Sequence, residues 1–511
     1  MKTENLGAVK KSYLRDIVAL AAIAVVTLTV LFPVLNAQLL HFDDRVHLTN
    51  NAAVRELTPA SLRTIFTTRV NDTYIPLTIL SFALEYPFFG NEPRGYHAVN
   101  LILHILNVGL LYVLIRLLGF ALTTATLASL LFAIHPVHVE SVAWVTERKD
   151  VLYSFFYLLT MLSYHGFRQT NKRLLYVGVV LATLLSLLAK PMAISLPLVL
   201  LLMDYLAEGK ISGRAVLQKI PLFGLAVGIG LMTYLPNARV IDIDMGEGAL
   251  LWVWCLAFYL FKFVFPVVLT PLYVAPEPIM ITNASYAVPF VLLAGILYGL
   301  YRWRTQRVFV FAVLFYLAST FFLYRFDLND INIVADRFMY LPSIGLCLWF
   351  AWLAEKSMKK HWVKALTALL IVVFAIKTNQ QTRIWQNDLS LWEYTLKQGV
   401  EHDMSYNNRG VALKEEGQFG AAIKDFKQAL NLQLAKGFDT SETHNNIGTV
   451  FSMTGQFEQA LYAFEHAIRE NPDYQTAYFN RANIYQFTGE LTKAEEDYNH
   501  ALAMPPDNSV D

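Results

Sequence analysis

The sequence predicts an all-α protein in which a polytopic helical membrane domain precedes a short solenoid of helical repeats. Three observations support this prediction: a shortage of charge, a series of apolar runs, and a 34-residue period near the C-terminus. Of the 511 residues, 55% are hydrophobic and only 16% are charged, whereas about a quarter of a soluble chain is charged. Many apolar runs approach the roughly twenty residues that span a bilayer core. A buried core helix explains one such run but not a whole series.

The net charge of +1 and the two cysteines exclude several classes of partner. A nearly neutral chain implies no polyanionic partner, so nucleic acid is not expected. Cys255 and Cys347 lie inside apolar runs, so neither a disulfide framework nor a zinc site is predicted. The basic Lys10 and Arg15 precede a run that is too long, and lacks the small-residue site, for a cleaved signal peptide. We therefore expect a membrane anchor with a cytoplasmic N-terminus.

Residues 1–382 are predicted to form the membrane domain, with about 11–13 spans. Basic residues cluster in alternate loops, which the positive-inside rule places in the cytoplasm. The intervening loops, including 41–95, 135–150, 237–248 and 324–337, and the whole C-terminal domain then lie outside. The basic clusters are Lys172/Arg173, Lys210/Arg214/Lys219, Arg302/Arg304/Arg307 and Lys356/Lys359/Lys360/Lys364. The candidate spans are 17–40, 97–119, 121–134, 151–166, 174–190, 191–206, 220–236, 249–269, 286–301, 308–323, 338–354 and 362–377.

The run 249–269 is the least convincing span. A cytoplasmic N-terminus and an external C-terminus require an odd number of spans, and the candidates above are even in number. The run contains Lys262 and Pro266, and no basic cluster follows it. We expect it to be re-entrant or to split into two half-helices, because irregular backbone at membrane depth needs protein or water around it.

Residues 383–511 are predicted to form a second domain that contains three repeats within about 403–511. A 34-residue period with small residues where helices cross is the tetratricopeptide signature. Such an array presents a concave groove to a peptide, although a passive spacer is the alternative. Gly448, Phe451, Gly455, Ala460, Phe464, Ala467 and Pro472 recur as Ala482, Tyr485, Gly489, Ala494, Tyr498, Ala501 and Pro506; an earlier copy has Gly410, Gly417, Ala422, Phe426 and Ala429, with about four residues inserted near Leu434–Asp439.

Two adjacent carboxylates, Asp43 and Asp44, follow the first span directly. A carboxylate at the membrane surface is a candidate general base, because it can accept a hydroxyl proton late in a transfer. Neighbouring side chains in an extended segment point to opposite sides, so the pair need not share one role. An ordinary solvated loop is the alternative interpretation.

The second external loop combines histidines, acids and cations. His135, His138 and Glu140 could bind a metal, but hydrogen bonding at the membrane interface is favoured. Arg148 and Lys149, followed by Asp150, precede the next span on the outer face, against the positive-inside trend. Arginine there has a use in bidentate binding of a lipid phosphate.

Lys190 and Arg337 are two further cations that the topology places outside. Arg337 lies three residues before Tyr340. A charge at membrane depth costs about 2.5–3.5 kcal/mol on insertion scales and often marks function. A long side chain that reaches to the membrane interface would explain any one of these cations. It explains less well the combination of several outer cations with an acidic first loop.

In combination these motifs resemble the transmembrane and tetratricopeptide-repeat family. Its members belong to the GT-C superfamily of polyprenol-dependent glycosyltransferases, and the eukaryotic ones are protein O-mannosyltransferases. This chain has three repeats, fewer than the eukaryotic proteins carry. In this respect it looks like a bacterial relative located in the inner membrane. The motifs are Asp43–Asp44, Tyr74–Thr78, Gly95–His97, Asn100–His104, His135–Glu140, Arg148–Asp150, Lys190–Pro197, Arg337–Ser343 and Trp385.

The resemblance implies transfer of a sugar from a polyprenyl monophosphate to a protein or glycan hydroxyl on the outer face, with inversion. Asp43 matches the first acidic position and is the expected base, with Asp44 in support. The expected ligands of the lipid phosphate are Arg148, Lys149, Lys190, Lys262 and Arg337, and the expected supporting residues are His135, His138, Glu140, Asp150 and Tyr340. No metal or other cofactor is favoured.

Two rival functions differ in what they require of the sequence. An O-antigen-type polymerase or ligase also combines many spans with repeats, but it tends to use a large late loop, whereas here the first external loop is the longest. A non-enzymatic scaffold, anchored in the membrane by its spans, needs no Asp43.

The GT-C resemblance also predicts that the first loop packs on the membrane domain as surface helices over Pro59–Arg69 and Pro76–Phe88.

Overall fold

The computed structural model describes residues 2–71, 73–234, 245–321 and 333–504. Within these ranges the chain forms helices and loops, apart from one isolated bridge between Val70 and Thr73, which confirms the all-α prediction. The chain divides into two compact units. We call Met1–Leu39 with His47–Gln386 the membrane unit, and Leu40–Val46 with Asn387–Asp511 the repeat unit.

The membrane unit contains sixteen α-helices among its described residues, and short 3₁₀ turns connect several of them. In chain order the helices are α1 (Lys2–Leu31), α2 (Ala52–Arg55), α3 (Pro59–Thr67), α4 (Pro76–Phe89), α5 (Pro93–Leu117), α6 (Leu122–Ala133), α7 (Val139–Ala143), α8 (Arg148–Thr170), α9 (Arg173–Ala189), α10 (Leu196–Glu208), α11 (Gly213–Tyr234), α12 (Met245–Val264), α13 (Ala284–Arg302), α14 (Arg307–Thr320), α15 (Ser343–Ser357) and α16 (His361–Ile384).

Seven helical segments of the described chain are long and apolar enough to cross a membrane, so the protein is an integral membrane protein. The number becomes eight if α6 and the bent segment after it count as one span. The sequence predicted about 11–13 spans; the difference arises partly because the apolar helices α9 and α14 are shorter than a full span. The seven are Tyr13–Asn36, Pro93–Leu117, Pro191–Glu208, Gly213–Thr233, Gly246–Val264, Ala284–Arg302 and His361–Ile384.

These spans differ in how much of their surface the protein covers. Pro191–Glu208 is 56% buried, whereas Ala284–Arg302 is 17% and His361–Ile384 only 11% buried. The last two expose apolar side chains such as Val291 and Leu369. Hydrocarbon is the solvent that suits such faces.

The broken helix lies elsewhere than the sequence predicted. The run 249–269 is not split: α12 is continuous to Val264, and Pro266 follows its end. The break instead separates α6 from Pro136–Ala143, at an angle of 51°. Pro136 cannot donate an amide hydrogen bond and keeps the residue before it out of the helical region. The proline therefore ends one segment and begins the next.

The first loop forms packed surface helices, as predicted. Helix α3 begins at Pro59 behind a capping box of Thr58 and Ser61, and α4 begins at Pro76. Proline suits the first helical position, where no amide donor is needed. Ile65 and Phe82 are buried in one apolar cluster with Tyr96 of α5, so the loop is folded onto the membrane unit.

The repeat unit stacks three helix pairs behind a leading helix. Gly410 and Gly448 let the helices of a pair approach closely, since a Cβ on either would lie 2.6 Å from the ring of Phe426 or Phe464. The insertion lengthens α19 to 18 residues, whereas α21 has 14. Pro506 and parts of the predicted loops 237–248 and 324–337 lie outside the described residues. The helices are α17 (Asp388–Lys397), α18 (Asp403–Glu415), α19 (Phe419–Lys436), α20 (Ser441–Met453), α21 (Phe457–Glu470), α22 (Gln475–Thr488) and α23 (Leu491–Ala503).

Candidate functional site

A buried group of charged side chains occupies helix junctions of the membrane unit. Asp150 lies in the first turn of α8, where the helix dipole favours a carboxylate. Lys190 ends α9 in an extended conformation, the conformation that the following Pro191 imposes. Arg337 lies in the 3₁₀ turn Asp336–Met339. We call the following set the charge network: Glu140, Glu147, Lys149, Asp150, Lys190 and Arg337.

The members of the charge network share partners. Arg337 contacts Glu140 through Nη1 at 2.6 Å and Glu147 through Nε at 3.3 Å. Lys190 Nζ lies 2.5 Å from Asp150 Oδ1 and 3.5 Å from Glu147 Oε2. Lys149 Nζ lies 3.0 Å from Glu147 Oε1. Glu147 therefore links all three cations.

Three acids balance three cations, so the charge network has no formal net charge. Burial alone raises the pKa of Glu147, but Lys149, Lys190 and Arg337 outweigh burial and hold that pKa below its usual value. Removal of one member of such a set leaves its partner charged and buried, which is strongly unfavourable. Lys149 is the most exposed cation of the three, with 14% of its side chain accessible.

Aromatic rings cover the cations of the network. The guanidinium of Arg337 lies 5.5 Å from the ring centre of Trp144 and 4.9 Å from that of Phe338. Trp144 stacks on Trp385 at 5.9 Å. Ring faces attract cations, more strongly where water is excluded. The rings therefore hold Arg337 in place.

Lys262 lies outside the network and makes different contacts. Its Nζ donates to the carbonyl of Val268 at 2.5 Å and lies 4.4 Å from the ring centre of Tyr273. The hydroxyl of Tyr273 in turn donates to Asp336, at 2.8 and 2.9 Å from the two carboxylate oxygens. The described hydrogen bond of Lys262 thus goes to a backbone carbonyl rather than to a carboxylate.

Arg148 does not join the charge network, contrary to the sequence grouping. It is fully buried and forms an ion pair with Glu85 of α4. It also donates to Asn100 and, at 3.0 Å, to the carbonyl of Tyr96. Consecutive residues on a helix point in different directions, which separates Arg148 from Lys149. Arg148 thus joins α4, α5 and α8.

The predicted His135 and His138 are buried, and the ring of His138 packs against that of Tyr340 with 5.2 Å between centres. His138 Nδ1 donates to the carbonyl of Phe132 at 2.7 Å, and His135 Nε2 to that of Phe263 at 2.9 Å. Tyr340 lies 2.7 Å from Nδ1 of His104. In the described part of the chain, no three His, Cys, Asp or Glu residues are arranged to hold a metal ion. The contacts seen here connect helices.

The two acids of the first loop have different surroundings in the repeat unit. Asp44 is fully buried, and its Oδ2 accepts the amide hydrogen of Leu40 at 2.8 Å. Asp43 is partly exposed. Asp44 therefore shapes the loop, whereas Asp43 remains partly accessible to solvent.

Sequence reasoning missed several residues of this region. Glu147 directly precedes Arg148 in the chain, but the sequence predicts roles only for Arg148, Lys149 and Asp150. Asp336 adjoins the predicted Arg337. Tyr273 and Trp144 carry no signal in the sequence, because an aromatic residue near a span end is ordinary in a membrane protein.

Comparison with known proteins finds tetratricopeptide repeats in the C-terminal part of the chain and similarity to protein O-mannosyl-transferases over most of its length. Residues 402–469 and 475–508 match models of the tetratricopeptide repeat. Protein O-mannosyl-transferase TMTC3 of Mus musculus is 24% identical over 91% of this chain and 58% of its own length. Protein O-mannosyl-transferase F38B6.6 of Caenorhabditis elegans is 26% identical over 76% of this chain and 59% of its own.

One solved structure with partial similarity is the oligosaccharyltransferase of Archaeoglobus fulgidus, tethered with an acceptor peptide. It has 14% identity and a TM-score of 0.40, and the match covers 73% of this chain and 54% of that one. The chain spans less than two thirds of the length of the curated relatives named above. The chain is therefore similar to the TMTC proteins over most of its length, and it carries tetratricopeptide repeats, as its motifs predicted.

Proposed function

We propose that the protein is a membrane glycosyltransferase that moves a sugar from a polyprenyl monophosphate to a hydroxyl acceptor, on a protein or a glycan. The observation that carries the proposal is the similarity over 91% of the chain to a protein O-mannosyl-transferase. The buried charge network adds support, because such groups inside a membrane protein are costly and usually serve function.

In the proposed reaction Asp43 is the base. Its carboxylate takes the proton of the acceptor hydroxyl while that oxygen attacks the anomeric carbon. The bond from this carbon to the phosphate oxygen breaks, the electron pair leaves with the polyprenyl phosphate, and the configuration inverts. Asp43 suits this role better than Asp44, which is buried and engaged with the backbone of Leu40.

We assign the lipid phosphate to the more accessible cations. Lys149 is the most exposed member of the charge network, and Lys262 donates to a carbonyl that a phosphate oxygen could replace. Lys190 and Arg337 are engaged with carboxylates, so they would set the local field. Arg148 is proposed as a support of the fold through Glu85.

The substitution Asp43→Asn tests the base. It keeps the side chain's shape and removes its basicity, so transfer from a polyprenyl-phosphate sugar should fall by roughly 10²–10⁴-fold. Purified full-length protein in detergent, a labelled polyprenyl-phosphate mannose and a Ser/Thr peptide form the assay. Mass spectrometry of envelope proteins and glycolipids, with and without the gene, identifies the natural acceptor.

Asp44→Asn is the matched control, one residue away. It should reduce thermal stability, with a smaller loss of transfer. Full activity in a folded Asp43→Asn protein would exclude this base. A wild type that neither binds nor consumes any polyprenyl-phosphate sugar would favour a membrane-anchored scaffold instead.

We further propose a bacterial inner-membrane location, with a cytoplasmic N-terminus and the repeats outside. The alternation of basic loops supports this orientation. A phosphatase fused after the last repeat should be active, and a fusion in the basic loop near Lys210 should be inactive. The reverse pattern would refute the orientation.

A further inference from the structure

The loop of residues 40–46, which carries Asp43, folds as part of the repeat unit. His41 makes the main contacts: its amide donates to Asp388 Oδ2 at 3.1 Å, and its ring Nδ1 lies 2.7 Å from the same oxygen. The other ring nitrogen lies 2.7 Å from Glu415. One side chain thus bridges two helices of the repeat unit.

Two further residues of the loop reinforce this attachment. Arg45 Nη2 donates to Glu415 at 3.0 Å and also contacts His41. The ring of Phe42 packs edge-on against Trp392 with 5.6 Å between centres. Trp392 is fully buried in the repeat unit. The residues on both sides of Asp43 are therefore engaged.

The helices that hold the loop have well-defined ends. Asp388 is the first residue of α17, directly after Asn387, which forms a capping box with Ser390. Glu415 is the last residue of α18, within the first repeat. A capped helix start fixes the direction of its first side chains. Asp388 and Glu415 thus provide two acceptors at a set separation.

We infer that α17 and α18 form a cradle that positions Asp43, with His41, Asp388 and Glu415 as positioning residues. This inference rests on the proposed function, since it assigns Asp43 to the reaction. It gives the first repeat a second task beside partner binding: the repeat holds a reacting group. Alignment of reacting groups contributes much of a catalyst's advantage, and small displacements are costly.

The charge state of His41 supports the same geometry. Burial lowers the pKa of His41, but hydrogen bonds to Asp388 and Glu415 outweigh burial and raise it to about 9, although Arg45 opposes this. The protonated ring can donate from both nitrogens, one to each carboxylate. Since the pKa is raised above its usual 6.5, this stabilisation is complete below pH about 6.5 and is lost as pH rises through about 9.

The test is Asp388→Asn in the full chain, read by hydrogen exchange and by kinetics. Loss of the charged acceptor should speed amide exchange within 40–46 by roughly tenfold, because hydrogen bonds to charged groups are among the stronger ones. With a polyprenyl-phosphate sugar, kcat should fall by about 10- to 100-fold while KM for the donor changes little. The wild-type protection of the loop should also decline between pH 8 and 10.

Asp497→Asn is the matched control, because Asp497 has a similar burial and pairs with Arg481 in the last repeat. It should leave exchange in 40–46 and kcat at wild-type values. Glu415→Gln, at a more exposed side chain, provides a second variant if Asp388→Asn does not fold.

Unchanged exchange in 40–46 in both cradle variants would overturn the cradle. Faster exchange with an unchanged kcat would overturn the positioning role. If the wild type has no transferase activity, the proposed function fails, and the exchange measurement still decides whether the cradle exists.

Discussion

In the charge network of the membrane unit three carboxylates and three cations share partners, whereas the arginine–aspartate pairs within the helical repeats are separate and recur along the chain. Arg409 pairs with Asp425, and Arg481 pairs with Asp497, each at a spacing of 16 residues and each with two hydrogen bonds. The second repeat has Ile447 at the position that corresponds to Arg481.

The middle repeat shows what the pairs contribute. Ile447 and its partner position Ala463 are both buried and pack in an apolar cluster. An apolar pair can replace an ion pair when both partners change together, often without loss of stability. The charge network is harder to replace one pair at a time, because Glu147, Lys190 and Arg337 each contact at least two oppositely charged partners. Shared partners therefore constrain substitution in the charge network more than in the arginine–aspartate pairs of the repeats.

The largest effect is expected for Arg337→Met. It leaves Glu140 and Glu147 without their arginine partner inside the fold, which should cost about 3–5 kcal/mol. Arg337→Lys keeps the charge but loses the planar fork, so its loss should be intermediate. Thermal unfolding in detergent provides the measurement. The exposed Arg302, at the end of α13, supplies the control Arg302→Met, which should change stability by less than about 0.5 kcal/mol. Equal losses at both sites would show that an arginine of the charge network contributes no more to stability than an exposed one.

The smallest effect is expected in the last repeat. Arg481→Ile alone leaves the buried Asp497 without its arginine partner and should cost about 1–3 kcal/mol. The double variant with Asp497→Ala copies the middle repeat and should return to within about 0.5 kcal/mol of wild type. Hydrogen exchange of α22 and α23 measures the local stability. A double variant that is worse than the single one would contradict the comparison.

The sequence predicted those features that depend on neighbours along the chain. Proline at positions 59 and 76 marked the starts of α3 and α4 because proline fits a first helical turn. The 34-residue period located the repeats, since each copy must place a small residue opposite a ring, as Gly410 does with Phe426. Hydropathy likewise identified the membrane unit.

The sequence predicted poorly those features that depend on distant partners. Pro266 suggested a broken helix, but it lies after the end of α12, and the break occurs before Pro136 instead. Arg148 and Lys149 are adjacent in the chain, yet one pairs with Glu85 and the other with Glu147. Local sequence patterns indicate which positions are apolar or charged, but they do not indicate which distant residue a side chain contacts.

By itself the sequence determined the fold class, the repeats, the family resemblance and the acidic pair after the first span, because periodicity, composition and short motifs express these directly. Only the tertiary structure decided that Asp44 is buried while Asp43 is partly exposed, and that His41 joins Asp388, 347 residues away. Burial and ion pairing depend on which segments pack together, and that choice is made by the summed contacts of the whole chain.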